Sequence, residues 1–354
     1  MRMAIQSIGI SGGFGQGVDS LQRALVAGEV EPQTGEVERN GTVDSFPCYR
    51  AAIDGLDEFF PKRALRRIDH YSKMTLYGAS LALKEAGLLE ADRSRMGVII
   101  ATGYGALKTT FDFLDSYLDF GYSCSSPTHF SNSVHNAAAA HVSMQFKATA
   151  PSLTVTQFEM SVASALLTAR HWLAEGRVDQ VLFGATDEYC DVLRYCRKRF
   201  FCDGEQGPMA PFNFERQSAV VGEGAAFFIL TRDEQQASYG YIDAVTLGNH
   251  VASPLELPAD DFVIAGADGH RDCGQWYAET IGSLPASAYS PLYGSFPAAA
   301  GFDLAVAALT LKEGCYFTVP DNAGSTTTPE EAPAKISCLK FGPGGDYGLI
   351  RLSR

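Results

Sequence analysis

Residues 153–176 read LTVTQFEMSVASALLTARHWLAEG. The first residues have the alternation of a β-strand, and from about residue 160 the apolar positions recur at helical spacing. Strand and helix are separated by a sharp turn at Gln157–Glu159. A helix N-terminus offers unpaired N–H groups and a partial positive charge, so an anion sits well there. A protein doing acyl chemistry places a Ser, Cys or Thr at such a turn. This chain places Glu159 there, between Phe158 and Met160. On the helix, Ala163, Ala165, Leu166 and Ala169 are expected to be core.

Strand and helix patterns alternate on both sides of this stretch. Strand-like segments are MAIQSIGIS (3–11), MGVIIATG (96–103), SLTVTQF (152–158), DQVLFGATDE (179–188) and AAFFILTR (225–232). Helical patterns fall at 18–28, 63–88, 106–119, 135–146 and 160–175, the second being long, amphipathic and closed by Gly87. A second series begins near Tyr239 with YGYIDAVTLGNHV, continues with DFVIAGADG and a helix at 301–314, and ends in KISCLKFGPGGDYGLIRLSR. GPGGD supplies turn residues, so this last piece reads as a hairpin. The alternation predicts α/β layers, and the similar start of both series hints at duplication. DNAGSTTTPEEAPAK (321–335) reads as a surface loop.

With 354 residues, 46% hydrophobic and 19% charged, the chain is globular with ample core. A formal charge of −13 argues against a nucleic-acid partner. No apolar run reaches the roughly 18 residues of a membrane span, and the N-terminus enters a strand pattern directly, so a cytoplasmic location is expected. The eight cysteines form no CxxC pair. They read as free thiols, and neither metal nor cofactor is expected.

Five segments in order resemble the β-ketoacyl synthases of the thiolase superfamily. They are RRIDHYSKMTLYGASLALKEAGL (66–88), MGVIIATGYGALKTTFDFL (96–114), SPTHFSNSVHNAAAAHVSMQF (126–146), PFNFERQSAVVGEGAAFFIL (211–230) and GPGGDYGLIRL (342–352). The resemblance implies a five-layered αβαβα fold built from two related halves, 1–233 and a shortened 234–354. It also implies a Cys-His-His centre with a supporting Lys and a gating Phe. On those positions this chain has Glu159, Asp268, Ser295, Ser290 and Pro343, with His270 competing for the first His. Glu cannot form a thioester, and Asp and Ser cannot supply two imidazoles to a developing enolate. All five changes together describe an inactive condensing site.

That pattern is similar to the chain length factor, the inactive partner of the ketosynthase in type II polyketide synthases, although such subunits commonly have Gln where Glu159 stands. The resemblance implies a heterodimer with a catalytic ketosynthase and an acyl carrier protein bearing a 4'-phosphopantetheine-linked chain. Tyr104, Thr110, Phe111, Leu114 and Leu118 are then candidates for a tunnel gate, and His129, Phe130, Phe158, Glu159 and Met160 for the interface. Helical spacing at 111, 114 and 118 equally fits ordinary core. Glu159 either reaches the partner or caps the helix. Arg63, Arg66 and Arg67, with Arg197, Lys198 and Arg199, are candidates for an acidic carrier's docking patch or plain solvated faces. Two rival readings remain: a malonyl-carrier decarboxylase supplying starter units, and a homodimeric acyl-binding protein. Whether the product is an aromatic polyketide or a polyene stays open.

Overall fold

The computed structural model describes residues 1–39, 42–201, 207–259, 261–320 and 333–354. Strand β1 (Met3–Gly12) pairs with the short β2 (Gly15–Gln16), followed by helix α1 (Val18–Ala27) and a hairpin of β3 (Gln33–Arg39) and β4 (Thr42–Cys48). Next come α2 (Lys62–Leu65), α3 (His70–Glu85), β5 (Met96–Thr102), α4 (Leu107–Phe120), α5 (Pro127–Ser133) and α6 (Ala137–Phe146). The elements β6 (Ser152–Thr156), α7 (Ser161–Ala174), β7 (Gln180–Asp187), α8 (Asp191–Phe201) and β8 (Gly224–Thr231) follow. The rest of the chain forms β9 (Tyr241–Asn249), β10 (Phe262–Ala265), α9 (Gly274–Ile281), β11 (Ala286–Ser287), α10 (Ala300–Glu313), β12 (Lys335–Phe341) and β13 (Asp346–Ser353).

The strand order shows the duplication. One half runs β1-β8-β7-β5-β6, antiparallel through β7 and parallel beyond it. The other runs β9-β13-β12-β10-β11, antiparallel through β12 and parallel beyond it. Numbered within its own half, each sheet has the same order and the same strand directions. A short β1–β9 pairing joins them.

Alternation along the strands then builds the layers. Ile99, Phe228 and Ile264 face a central core shared with α7 and α10. Val98, Ile100, Phe227 and Ile229 face outward onto α3 and α6. Val263, Leu339 and Leu349 face α9 on the opposite side. The result is the expected αβαβα stack, with α10 buried all round along most of its length. Ala163, Ala165, Leu166 and Ala169 lie in the central core, as the sequence indicates.

The predicted helix 63–88 is two helices. The chain leaves α2 after Leu65, and Asp69 caps α3 by accepting from the Ser72 N–H at 2.9 Å. Helices α5, α8 and α9 and the β3–β4 hairpin add to the elements read from the sequence. No helix is present among the described residues between β9 and β10, consistent with a shortened second half. Cys202 and most of the loop at 321–335 lie outside the described residues. Among the described residues no helix is long and apolar enough to cross a membrane.

Both sheets end on a parallel strand. Among the described residues β6 is an edge strand with three of its five residues exposed, Leu153 at 38%. β11 is buried at both residues.

Candidate functional site

The turn after β6 is a short 3₁₀ segment, Phe158–Met160, running directly into α7. Ser161 fixes it. Its buried hydroxyl accepts from the Gln157 N–H at 2.7 Å and lies 2.8 Å from the Thr102 carbonyl. Phe158 takes a positive φ of 44°, in the left-handed region. Its ring packs edge-on against Tyr104, with centroids 6.1 Å apart. The neighbouring glycine turn needs Gly105, whose φ is +61° and where a Cβ would meet the His135 ring.

Glu159 lines a cavity of about 90 Å³ together with Tyr104, Asp268, Ser295 and Pro343. Four of the five positions predicted from the family pattern therefore converge there. Ser290 lies apart, buried, donating to the Ala267 carbonyl at 2.8 Å. Glu159 is the acidic residue in the first turn of the 3₁₀ segment that leads into α7.

Lys340, which the sequence reading left out, and Arg197, which it assigned to a carrier-docking patch, complete the site. Lys340 on β12 donates to Asp268 at 3.0 Å and to the Gly266 carbonyl at 2.7 Å. Arg197 on α8 donates to the Ser295 carbonyl at 2.5 Å, to its hydroxyl at 2.8 Å, and to His270 Nε2 at 3.2 Å. Ser295 in turn donates to Asp268 at 2.8 Å, and His270 Nδ1 lies 3.1 Å from the same carboxylate. Burial pushes the Asp268 carboxyl up, but Lys340 and His270 outweigh burial and hold it well below the usual carboxylate range. Burial lowers the Lys340 amine, and Asp268 reverses that, leaving it raised overall. Cys273 lines the same cavity, its thiol pushed up to about 12 by burial.

This geometry limits the chemistry. Ser295, His270 and Asp268 have the composition of a hydrolytic triad but not its wiring. A relay needs the hydroxyl on one imidazole nitrogen and the carboxylate on the other. Here Ser295 Oγ and Asp268 both approach Nδ1, at 3.4 and 3.1 Å, while Nε2 accepts from Arg197. Cys273 stays a protonated thiol at neutral pH, a poor nucleophile. Asp268 links Lys340, His270 and Ser295, and Arg197 ties Ser295 to His270.

Two further buried carboxyls lie near this centre. Asp187 accepts from Thr102 and from the N–H groups of Gly103, Tyr104 and Ala298 at 2.7–2.9 Å, and burial still raises it to about 6. Burial raises Glu188 to about 8, while one of its oxygens accepts from the Lys108 N–H at 2.8 Å.

The remaining predicted residues divide. Leu114 and Leu118 on α4 are exposed, as is Phe130, which packs on Phe113 at 5.4 Å. They are surface, not the ordinary helix core that their spacing also allowed. Thr110 binds the carbonyls of Ala106 and Ser133, pinning α4 to α5. Phe111 and His129 are partly buried. Met160 is a correction: it is buried at 6% exposure near Gly348 of β13, so its side chain faces inward and not toward an interface. Arg197 is a second correction. It is 4% exposed and belongs to the central network, so it is unavailable to a carrier protein. Arg194 is buried too, its guanidinium 3.3 Å from the Phe46 ring centre. Arg63, Arg66, Arg67 and Arg199 are exposed, and Lys198 lies 3.4 Å from Asp44.

A family model, beta-ketoacyl synthase, N-terminal domain, matches residues 2–236. The chain belongs to the β-ketoacyl synthase family. It is 22% identical over 284 residues to the chloroplastic 3-oxoacyl-[acyl-carrier-protein] synthase I of Hordeum vulgare, an alignment taking in 76% of this chain and 60% of that protein. The chain thus spans about 60% of that relative's length. A β-ketoacyl synthase from Burkholderia phymatum STM815 superposes with a TM-score of 0.81 at 18% identity, covering 100% of this chain and 99% of that one. A chain from the ketosynthase ApeO in complex with its chain length factor ApeC, from Xenorhabdus doucetiae, superposes with a TM-score of 0.80 at 16% identity, covering 99% and 98%. These likenesses establish the thiolase-like fold.

Proposed function

We propose that this chain is a non-catalytic, chain-length-determining subunit that pairs with an active β-ketoacyl synthase in a type II polyketide synthase. The observation that carries this reading is the hydrogen-bonded network of Asp268, Ser295, Lys340 and Arg197 lining the cavity beside Glu159. The residues matched to the nucleophile and the two imidazoles, Glu159, Asp268 and Ser295, line one cavity, with Asp268 bound to Lys340 and Ser295 to Arg197. Such a centre has no thiol at the Glu159 turn to hold an acyl chain, and Asp268 and Ser295 offer no imidazole donors to an enolate. The same lack weighs against a starter-supplying decarboxylase. The open β6 edge, with Leu153 exposed on it and Phe158 exposed just beyond it, favours a protein partner, since an uncovered strand invites pairing with another chain.

In this reading the partner supplies the nucleophile, and the growing chain runs into a tunnel shared between the subunits. Tyr104, Thr110, Phe111, Leu114 and Leu118 are proposed to wall it, limiting length by excluded volume. Arg63, Arg66 and Arg67 are proposed to meet the acidic carrier protein. The test is co-expression with a Cys-His-His ketosynthase of type II polyketide synthesis from the same genome. A 1:1 complex burying roughly 2,000 Å² or more is expected. A well-folded monomer, or a self-pairing dimer that ignores the ketosynthase, contradicts it. Within an intact complex, Phe111→Ala is expected to lengthen the released polyketides; unchanged lengths for Phe111→Ala, Leu114→Ala and Tyr104→Ala alike would displace the gate from α4.

A further inference from the structure

We propose that Phe158 is itself a length-determining residue: its ring, backed by Tyr104, is the surface against which the partner's acyl chain stops. This rests on the pairing reading above and names the side chain that acts within it. Among the described residues only Lys147 and Phe158 combine a side chain with positive φ. Lys147 closes α6, a common use of that conformation. Phe158 closes nothing. For a bulky aromatic the left-handed region is strained, and glycine would occupy it freely.

Core packing does not account for the choice, because Phe158 is 58% exposed. Its ring contact is Tyr104, itself on the wall of the cavity that holds Glu159. Strained backbone of this kind persists where the surroundings or the function demand one side chain in one direction. The location fits: Phe158 stands two residues beyond the end of β6, and a partner strand laid along that open edge runs past it. The exposed ring is thus presented at the seam and braced from behind by Tyr104. By contrast, Leu118 on α4 is 76% exposed.

The experiment compares Phe158→Gly and Phe158→Leu in the complex with the catalytic ketosynthase and its loaded carrier protein, reading the masses of released chains. Phe158→Gly removes the ring and relieves the backbone, so the complex forms and the melting temperature stays level or rises. Its main product lengthens by on the order of one or two two-carbon units, the space an aromatic ring vacates. Phe158→Leu keeps most of the bulk and shifts the distribution less. Unchanged lengths for Phe158→Gly in an intact complex overturn this proposal and leave the pairing reading standing. An equal shift for both variants overturns it too, because size is then not what matters. A wild-type chain that pairs with no ketosynthase overturns the pairing reading, and this proposal with it.

Discussion

The strands β6 and β11 occupy the same place in two sheets of identical order, yet one is open and the other closed. β11 has two residues, both buried, with Ala286 at 1% exposure. β6 has five, with Leu153 38% exposed and Phe158 58% exposed just beyond it. Lysine and proline, the usual guards of a free edge, are absent from β6 itself. Two copies of one topology thus isolate what is particular to the first half. Its edge strand leads into the turn that carries Glu159, and the surface beside that turn is exposed at Leu153 and Phe158.

Substitution at matched positions breaks this comparison most sharply. Ala286→Lys buries a charge without a partner and is expected to cost about 4 kcal/mol or more, or to prevent folding. Leu153→Lys is expected to change the stability of the isolated chain by no more than about 0.5 kcal/mol. It should nevertheless weaken the ketosynthase complex by on the order of 100-fold, by blocking a strand edge and an apolar contact. Chemical denaturation and a binding titration separate the two effects. Equal destabilisation by both would mean that the edges are not distinct.

The central network gives the next largest effect. Asp268→Asn leaves Lys340 buried without its counter-charge, for an expected loss of roughly 3–5 kcal/mol. Lys340→Met on that background should recover part of it, as paired charges replaced together cost less than one removed alone. An additive result would show that the two do not act as a pair.

Buried carboxyls predict a pH dependence. Glu188 is raised to about 8, so the fold holds its proton more tightly than the unfolded chain does. Its contribution is full below the ordinary glutamate range and is lost as pH climbs toward about 8. Stability should fall across that window, by at most about 1.4 kcal/mol per pH unit for this group. Glu188→Gln should flatten the profile. A wild-type profile that rises between pH 6 and 8, unaltered by Glu188→Gln, contradicts it. Asp268 acts in the opposite sense: its depressed carboxyl contributes above the ordinary aspartate range, and that contribution fades only in acid.

The smallest effect belongs to Glu159. It makes no hydrogen bond to any described residue through its carboxylate, so Glu159→Gln is expected to cost about 1 kcal/mol or less and to leave product formation intact. Loss of turnover in an intact complex would give Glu159 a chemical role.

The contrast between the two edges also explains what was legible in the chain. Strand alternation and helical spacing disclosed both series and the turn at 157–160, because these are local patterns. Glu159, Asp268, Ser295 and Pro343 were found because each stands inside a motif of recognisable shape. Arg197 was assigned to a surface patch because it sits in a run of charges, RYCRKR, that hides the inward face of α8. Arg194 and Arg197 are three apart and share that face, with Leu193 beside them. Lys340 was missed for a similar reason. On β12 it shares a face with Ile336 and Cys338, which look into the central core, and its meaning depends on Asp268, 72 residues away. Such a pairing lives in the tertiary structure and has no local signal. Met160 was misplaced because a sharp turn reverses side-chain direction within one residue: Phe158 points out and Met160 points in.

The central claim is that this chain shapes products without making carbon–carbon bonds. Reconstitution with malonyl-loaded carrier protein tests it most directly, using this chain alone, the catalytic ketosynthase alone, and the two together. The account predicts no condensation product from this chain alone, and from the pair a product distribution that shifts when this subunit's tunnel residues are changed. Condensation by this chain in isolation, or products from the ketosynthase that are the same with and without it, would contradict the account.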